Sequence, residues 1–169
     1  GVGVVGAAAA ALGAERVVLT DCDGGMPLLE RNLTMLSDDG ITNVEVACVG
    51  WGSDADHAAV LQRSTGGFDV VLASDVIVAG FDTERLFASC MALLACRPEA
   101  RLFLAYEFRE EWETIGMFLH WCAEAGLDET HIHIAEDGSE DDERDSDMLL
   151  YTLFWRATGA GAGNDAPEG

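Results

Sequence analysis

The chain has 169 residues, enough for one domain with a hydrophobic core and too few for two ordinary ones. Acidic residues number 31 against 9 basic ones, all arginine, for a formal charge of -22, while 49% of the residues are apolar. This balance excludes recognition of nucleic acid or of an anionic membrane through a basic footprint, and it excludes wholesale disorder. The charge reads first as a solubility surface and second as an acidic face that attracts basic protein segments.

The chain opens on Gly1 and runs straight into GVGVVGAAAAALGA, residues 1–14. The run lacks the basic flank of a secretory signal and is too short to span a bilayer. It reads instead as the start of a chain that begins inside a longer domain. Its alanines predict a helix over 4–13. A short buried parallel strand follows over 16–20, and then a helix over 24–37 with Leu28, Leu29, Leu33 and Leu36 at helical spacing. Residues 43–48 read as the next strand, and Ser53 caps a helix over 54–63. FDVVLAS (68–74) is a strand ending at Asp75, and a helix over 82–95 stops before Pro98. RLFLAY (101–106) is a strand whose last residue, Tyr106, either lines a site entrance or packs. An amphipathic helix over 110–124 is closed by Gly126. The runs 131–136 and 148–155 have no helix between them and are expected to pair as an antiparallel hairpin. Alternation of this kind is an α/β pattern.

The segment 136–147 holds eight acidic residues in twelve and reads as a solvated loop; the calcium-loop pattern of carboxylates at fixed offsets, a Gly at the sharp turn and a closing Glu is absent. The tail 157–169 is rich in Gly and Ala and is expected to be disordered. The cysteines, Cys22, Cys48, Cys90, Cys96 and Cys122, are odd in number and show no CxxC spacing. Most sit in apolar runs, so buried free thiols in a reducing compartment are expected, without a disulfide framework or a zinc site. His131 and His133, two apart on a strand, share a face, yet no carboxylate or cysteine is fixed beside them, so no metal is expected. Cys22 has no local histidine to activate it as a nucleophile. Arg109 is expected to pair with one of the neighbouring acids.

Gly1, Gly3 and Gly6 spell GxGxxG at a helix start, and Asp21 ends the next strand. Glycines let a backbone approach a ligand, a helix N-terminus offers N–H donors, and a carboxylate accepts from ribose hydroxyls. The pattern points to a nucleoside-containing cofactor and leaves two classes open, a dinucleotide or S-adenosylmethionine. The terminal hairpin, and the lack of room for a second catalytic region, favour the second class.

Several segments in order then carry a more specific resemblance. They are GVGVVGAAAAALGAERVVLTD (1–21), PLLERNL (27–33), Trp51-Gly52 after a strand, FDVVLASDVI (68–77) and LFLAYEFREEW (102–112). Together they resemble the seven-β-strand protein-lysine methyltransferases of the methyltransferase-like "family 16" group over about residues 1–156. The resemblance implies a Rossmann-like class I methyltransferase sheet, with helices on both faces and a C-terminal antiparallel hairpin. It also implies that the family's first strand lies upstream of Gly1, which would leave a gap in the sheet. It implies that Gly1 and Gly3 pass under the methionine part of S-adenosylmethionine, that Asp21 binds the ribose, that Trp51 lies against the adenine and that Ser74 contacts the cofactor. Asp75 would begin the family's Asp-x-x-Tyr motif and face the substrate. Here that motif ends in Val78, so the family's tyrosine is missing. The expected activity is N-methylation of an accessible lysine on a protein substrate by a monomeric, cytoplasmic or nuclear enzyme. A NAD-binding oxidoreductase domain and an inactive interaction protein that keeps the fold are the alternatives.

Overall fold

The computed structural model describes residues 1–78, 80–107, 112–134 and 148–157. Helix α1 (Val4–Ala11) begins after Gly3, whose φ of 83° only glycine adopts freely, and leads into β1 (Val17–Asp21). A 3-10 turn at Asp23–Gly25 feeds α2 (Met26–Asp38), where Pro27 sits in the first turn and costs no helical hydrogen bond. Strand β2 (Val44–Cys48) is followed by α3 (Asp54–Leu61), capped by Ser53 Oγ accepting from the Asp56 N–H. Strand β3 (Val70–Ser74) precedes α4 (Thr83–Leu93), capped in the same way by Asp82 on the Arg85 N–H. Then come β4 (Arg101–Glu107), α5 (Trp112–Glu124), β5 (Leu127–His133) and β6 (Met148–Trp155).

Every predicted element is present, with ends shifted by a few residues where helices fray. The larger correction concerns β5, which starts at Leu127 rather than at residue 131. Gly126, at φ 95°, turns the chain directly from α5 into the strand, and buried Leu127 anchors its first residue. The polar stretch Asp128–Thr130 hid the strand because β5 is an edge strand, where solvent-facing polar residues are tolerated. The acidic segment 136–147, Arg109 and the tail from residue 158 lie outside the described residues.

The strands form two sheets. β1 and β2 pair in parallel, and β3-β4-β6-β5 form a four-stranded sheet in which β6 runs antiparallel to both its neighbours. The terminal hairpin is therefore as expected. Among the described residues no strand lies between β1 and β3, which matches the expected gap.

Three clusters of buried side chains hold this arrangement. Alternate residues of β4 (Leu102, Leu104 and Tyr106) meet Leu153 and Tyr151 of β6 and are covered by Leu86 and Cys90 of α4 and Ile115, Phe118 and Cys122 of α5. Leu19, Leu29 and Val44 join α1 and α2 to β1 and β2. Ala47, Val49 and Val60, with Val18, Phe68 and Leu93 packed against them, connect the small sheet to the large one. The Trp155 indole donates to the Ala95 carbonyl at 2.7 Å and ties the last strand to the end of α4. Helices thus cover both faces of the small sheet. On the large sheet α4 and α5 cover one face, and Val70, Leu72 and Ile132 are exposed on the other.

All five cysteines are free, as expected, but only Cys90 and Cys122 are buried. Cys22 and Cys48 are exposed because they stand at or just beyond the carboxyl ends of β1 and β2, and Cys96 because it follows α4 in a loop. Burial pushes the Cys90 and Cys122 thiols up to about 12, so these two behave as small apolar side chains. Phe118 is fully buried between α5 and the large sheet. Phe118→Ala is expected to lower the unfolding free energy by about 3–5 kcal/mol in urea titrations. Ile132→Ala, on the open face, is expected to stay within about 0.5 kcal/mol of the parent.

Candidate active site

Ligands of open α/β sheets bind beyond the carboxyl ends of the parallel strands. Here those ends present Asp21 on β1, the loop 49–53 after β2, and Ser74 and Asp75 after β3.

Asp21 is the most constrained of these. One carboxylate oxygen accepts from the Cys22 N–H at 2.7 Å, and the other pairs with the Gly1 ammonium. Gly25 makes the carboxylate's position possible, since a Cβ there would lie 2.3 Å from Asp21 Cγ. Gly1 and Asp21 are therefore brought together.

The glycines of GxGxxG divide their work. A Cβ on Gly3 would meet Leu19 at 2.8 Å and Leu29 at 3.2 Å, and one on Gly6 would meet Leu19 at 2.2 Å. Both serve the close packing of α1 on β1, and Gly3 also supplies the left-handed entry to the helix. Gly1 has nothing within 4 Å of its Cβ position.

Trp51 reaches the same rim by way of β2. The Val49 N–H donates to the Asp21 carbonyl at 2.8 Å, so the loop leaves the strand beside Asp21. Trp51 is partly buried against the main core, and its ring meets Phe81 edge-on with centroids 6.0 Å apart. Ser74 and Asp75 are exposed at the end of β3. The Asp75 N–H donates to the Ala105 carbonyl at 3.0 Å, which fixes the backbone at the β3 end. Asp75 has φ 53°, and it is the one left-handed residue other than glycine among the described residues. Such strain is tolerated by aspartate and concentrates at functional sites. The Asp21 side of the rim is linked to the Asp75 side by the Trp51–Phe81 contact. Tyr106 is buried in the core and so packs rather than lining an entrance.

Four contributors were not singled out from sequence: Gly25, Asp56, Phe81 and the His57–Ser89 pair. Phe81 carried a signal, an apolar residue right after Gly80 in the segment leading from Asp75, and it is 61% exposed. Asp56 Oδ2 accepts from the Gly50 N–H at 2.9 Å and so pins the loop ahead of Trp51. His131 and His133 do share a face, their rings 6.2 Å apart, but no group of metal-ligating side chains is present among the described residues. No described helix is long and apolar enough to cross a membrane.

Residues 1–121 match a family model described as lysine methyltransferase. The fold is similar to that of a predicted O-methyltransferase from Agrobacterium tumefaciens, with a TM-score of 0.64 and 20% identity, over 92% of this chain and 70% of that one. A methyltransferase from Pyrococcus furiosus gives a TM-score of 0.55 at 14% identity, over 83% of this chain and 62% of that one. The METTL16 methyltransferase domain gives 0.53 at 10% identity, over 83% of this chain and 50% of that one. At such identities the likeness speaks for the fold alone. No curated protein sequence matches the chain.

The Gly50 N–H and the Ser53 side chain hold the Asp56 carboxyl below the ordinary aspartate value of 3.8. A depressed folded-state value means that its contribution is complete above the unfolded value and is lost as pH falls through the folded one. Carbon-detected NMR titration is expected to place the Asp56 midpoint below 3.8. Protection of the Gly50 amide, taken relative to its intrinsic exchange rate at each pH, is expected to fall below that midpoint, and to be lower at all pH values in Asp56→Ala.

Proposed function

The chain belongs to the lysine methyltransferase family, and from that premise we propose that it transfers a methyl group from S-adenosylmethionine to a lysine side chain of a protein. The observation that carries this reading is that Asp21 ends β1, Trp51 follows β2 and Asp75 follows β3, with β1 paired in parallel to β2 and β3 to β4. Family membership favours this cofactor over the dinucleotide that GxGxxG alone left open.

The donor chemistry fits the cofactor. The Asp21 carboxylate is set by the Cys22 N–H and the space at Gly25, and a carboxylate there accepts hydrogen bonds of the kind that ribose hydroxyls donate. Trp51 offers an aromatic face for adenine, while Gly1 and Gly3 offer backbone free of side chains near the methionine part. Ser74 offers a hydroxyl at the end of β3. When bound, S-adenosylmethionine supplies a methyl group on a sulfonium, a centre that needs positioning more than acid–base help.

A lysine amine attacks only when neutral, and its unperturbed pKa is about 10.4. The role of Asp75 is to receive the incoming ammonium, orient its nitrogen toward the methyl group and hold it while the proton leaves for solvent. The backbone at Asp75 is left-handed, just beyond the end of β3. Val78 stands where the resembled motif has tyrosine, and Phe81 supplies an exposed aromatic ring three residues further on. The net charge of -22 favours a target lysine set in a basic segment. The activity is assigned to residues 1–156.

Calorimetry on the full-length protein tests the reading. S-adenosylhomocysteine is expected to bind in the micromolar range, with binding lost in Asp21→Ala, and NAD is expected not to bind. Asp75→Ala is expected to keep that binding and to slow methyl transfer to lysine peptides by about 100-fold. NAD binding alone would return the protein to the oxidoreductases. Cofactor binding with no transfer to any basic lysine peptide would mark it as an inactive interaction protein.

A further inference from the structure

One buried titratable side chain has no part in the chemistry above. His57 on α3 is 4% exposed, and its Nε2 lies 2.9 Å from Ser89 Oγ on α4. Ser89 is also buried. Its Oγ donates to the Arg85 carbonyl at 2.9 Å and accepts from the Gly52 N–H at 2.9 Å. A hydroxyl has one proton and two lone pairs. With the proton given to Arg85, the lone pairs are filled by two N–H donors, Gly52 and His57. The network therefore assigns His57 the tautomer protonated at Nε2, and it leaves the Ser89 hydroxyl with no further capacity.

The backbone group held by this hub is the one that follows Trp51. Gly52 has φ 73°, and a Cβ there would lie 2.8 Å from Arg85 Cγ, so the loop rests directly on α4. On the other side of Trp51 the Gly50 N–H is fixed by Asp56. Asp56 and His57 are adjacent on α3, so one helix turn holds the Gly50 end directly and meets the Gly52 end through Ser89 of α4. The ring itself is steadied by Phe81.

We propose that His57 and Ser89 are positioning residues for the cofactor, which fix the orientation of Trp51 before the adenine arrives. This rests on the reading of Trp51 as the adenine-facing residue. Without the Ser89 hydroxyl, the Gly52 N–H is the donor free to turn toward water, because Gly52 is exposed whereas His57 is not. The loop then samples several orientations, and the cofactor must select the competent one. A competent fraction of about one tenth weakens apparent affinity about tenfold.

The test uses the full-length protein labelled with fluorotryptophan, with the Trp51 signal assigned by Trp51→Phe. Fluorine NMR of the unliganded protein is read beside the calorimetric Kd for S-adenosylhomocysteine. Ser89→Ala and His57→Leu are expected to shift and broaden the Trp51 signal and to raise the Kd about tenfold. His57→Gln keeps an N–H donor and is expected to recover most of the affinity. Ile115→Val, a buried change between α5 and the large sheet, is expected to lower stability while leaving both readouts unmoved. An unchanged Trp51 signal and Kd in Ser89→Ala would overturn the positioning role, as would an equal loss of affinity in Ile115→Val. If Ser89→Ala does not fold, the contrast between His57→Leu and His57→Gln decides between the same two outcomes. Failure of the parent protein to bind S-adenosylhomocysteine would instead remove the cofactor reading, and this inference with it.

Discussion

No ladder of backbone hydrogen bonds joins β1 to β3 among the described residues, so side chains must hold the two sheets in register. The apolar part of that seam is Ala47, Val49 and Val60 of the small-sheet half, with Phe68 and Leu93 of the large-sheet half against them. Phe68 is drawn in by its bridge to Leu94, and Gly67 permits this because its Cβ position lies 2.8 Å from the Ala95 Cα. The polar part is the Ser89 hub with Gly52 and His57, and the aromatic part is Trp51 against Phe81. Dispersion contacts are individually weak and tolerant of small shifts, whereas a saturated hydroxyl is neither. The seam therefore gains its cohesion from valine and phenylalanine and its alignment from a serine.

The same seam divides the proposed chemistry. In that proposal Asp21 on the small sheet would hold the nucleoside end of the cofactor, and Asp75 at the end of a large-sheet strand would face the nucleophile. Trp51 belongs by chain to the first half and by packing to the second. In-line transfer is sensitive to ångström-scale misplacement, so a rate difference can originate in residues that touch neither reactant.

Most of the architecture was legible because it rests on local pattern. The continuous apolar run in RLFLAY, the Ser53 cap and the leucines in 28–36 each determine an element without reference to anything distant. Asp21 and Asp75 were legible for the same reason, since both end recognisable strands. Features created by three-dimensional approach were not. Gly25 looks like an ordinary turn glycine until the Asp21 carboxylate is seen in the space of its missing Cβ. His57 and Ser89 lie 32 positions apart and have no shared motif. The early β5 start was hidden because an edge strand can be polar on its outward side, and the exposure of Cys22, Cys48 and Cys96 because local apolarity does not reveal where a strand or helix ends.

Val70 and Leu72 on the open face of β3 set a condition on how the protein behaves in bulk. Exposed branched residues side by side on a strand favour association between copies. What opposes it is the net charge of -22, which makes copies of the chain repel one another. That repulsion reaches about 10 Å at 0.1 M salt and about 3 Å at 1 M. Colloidal stability here is thus an electrolyte-dependent property, and chromatography in strong salt would favour self-association of a protein that dilute buffer keeps apart.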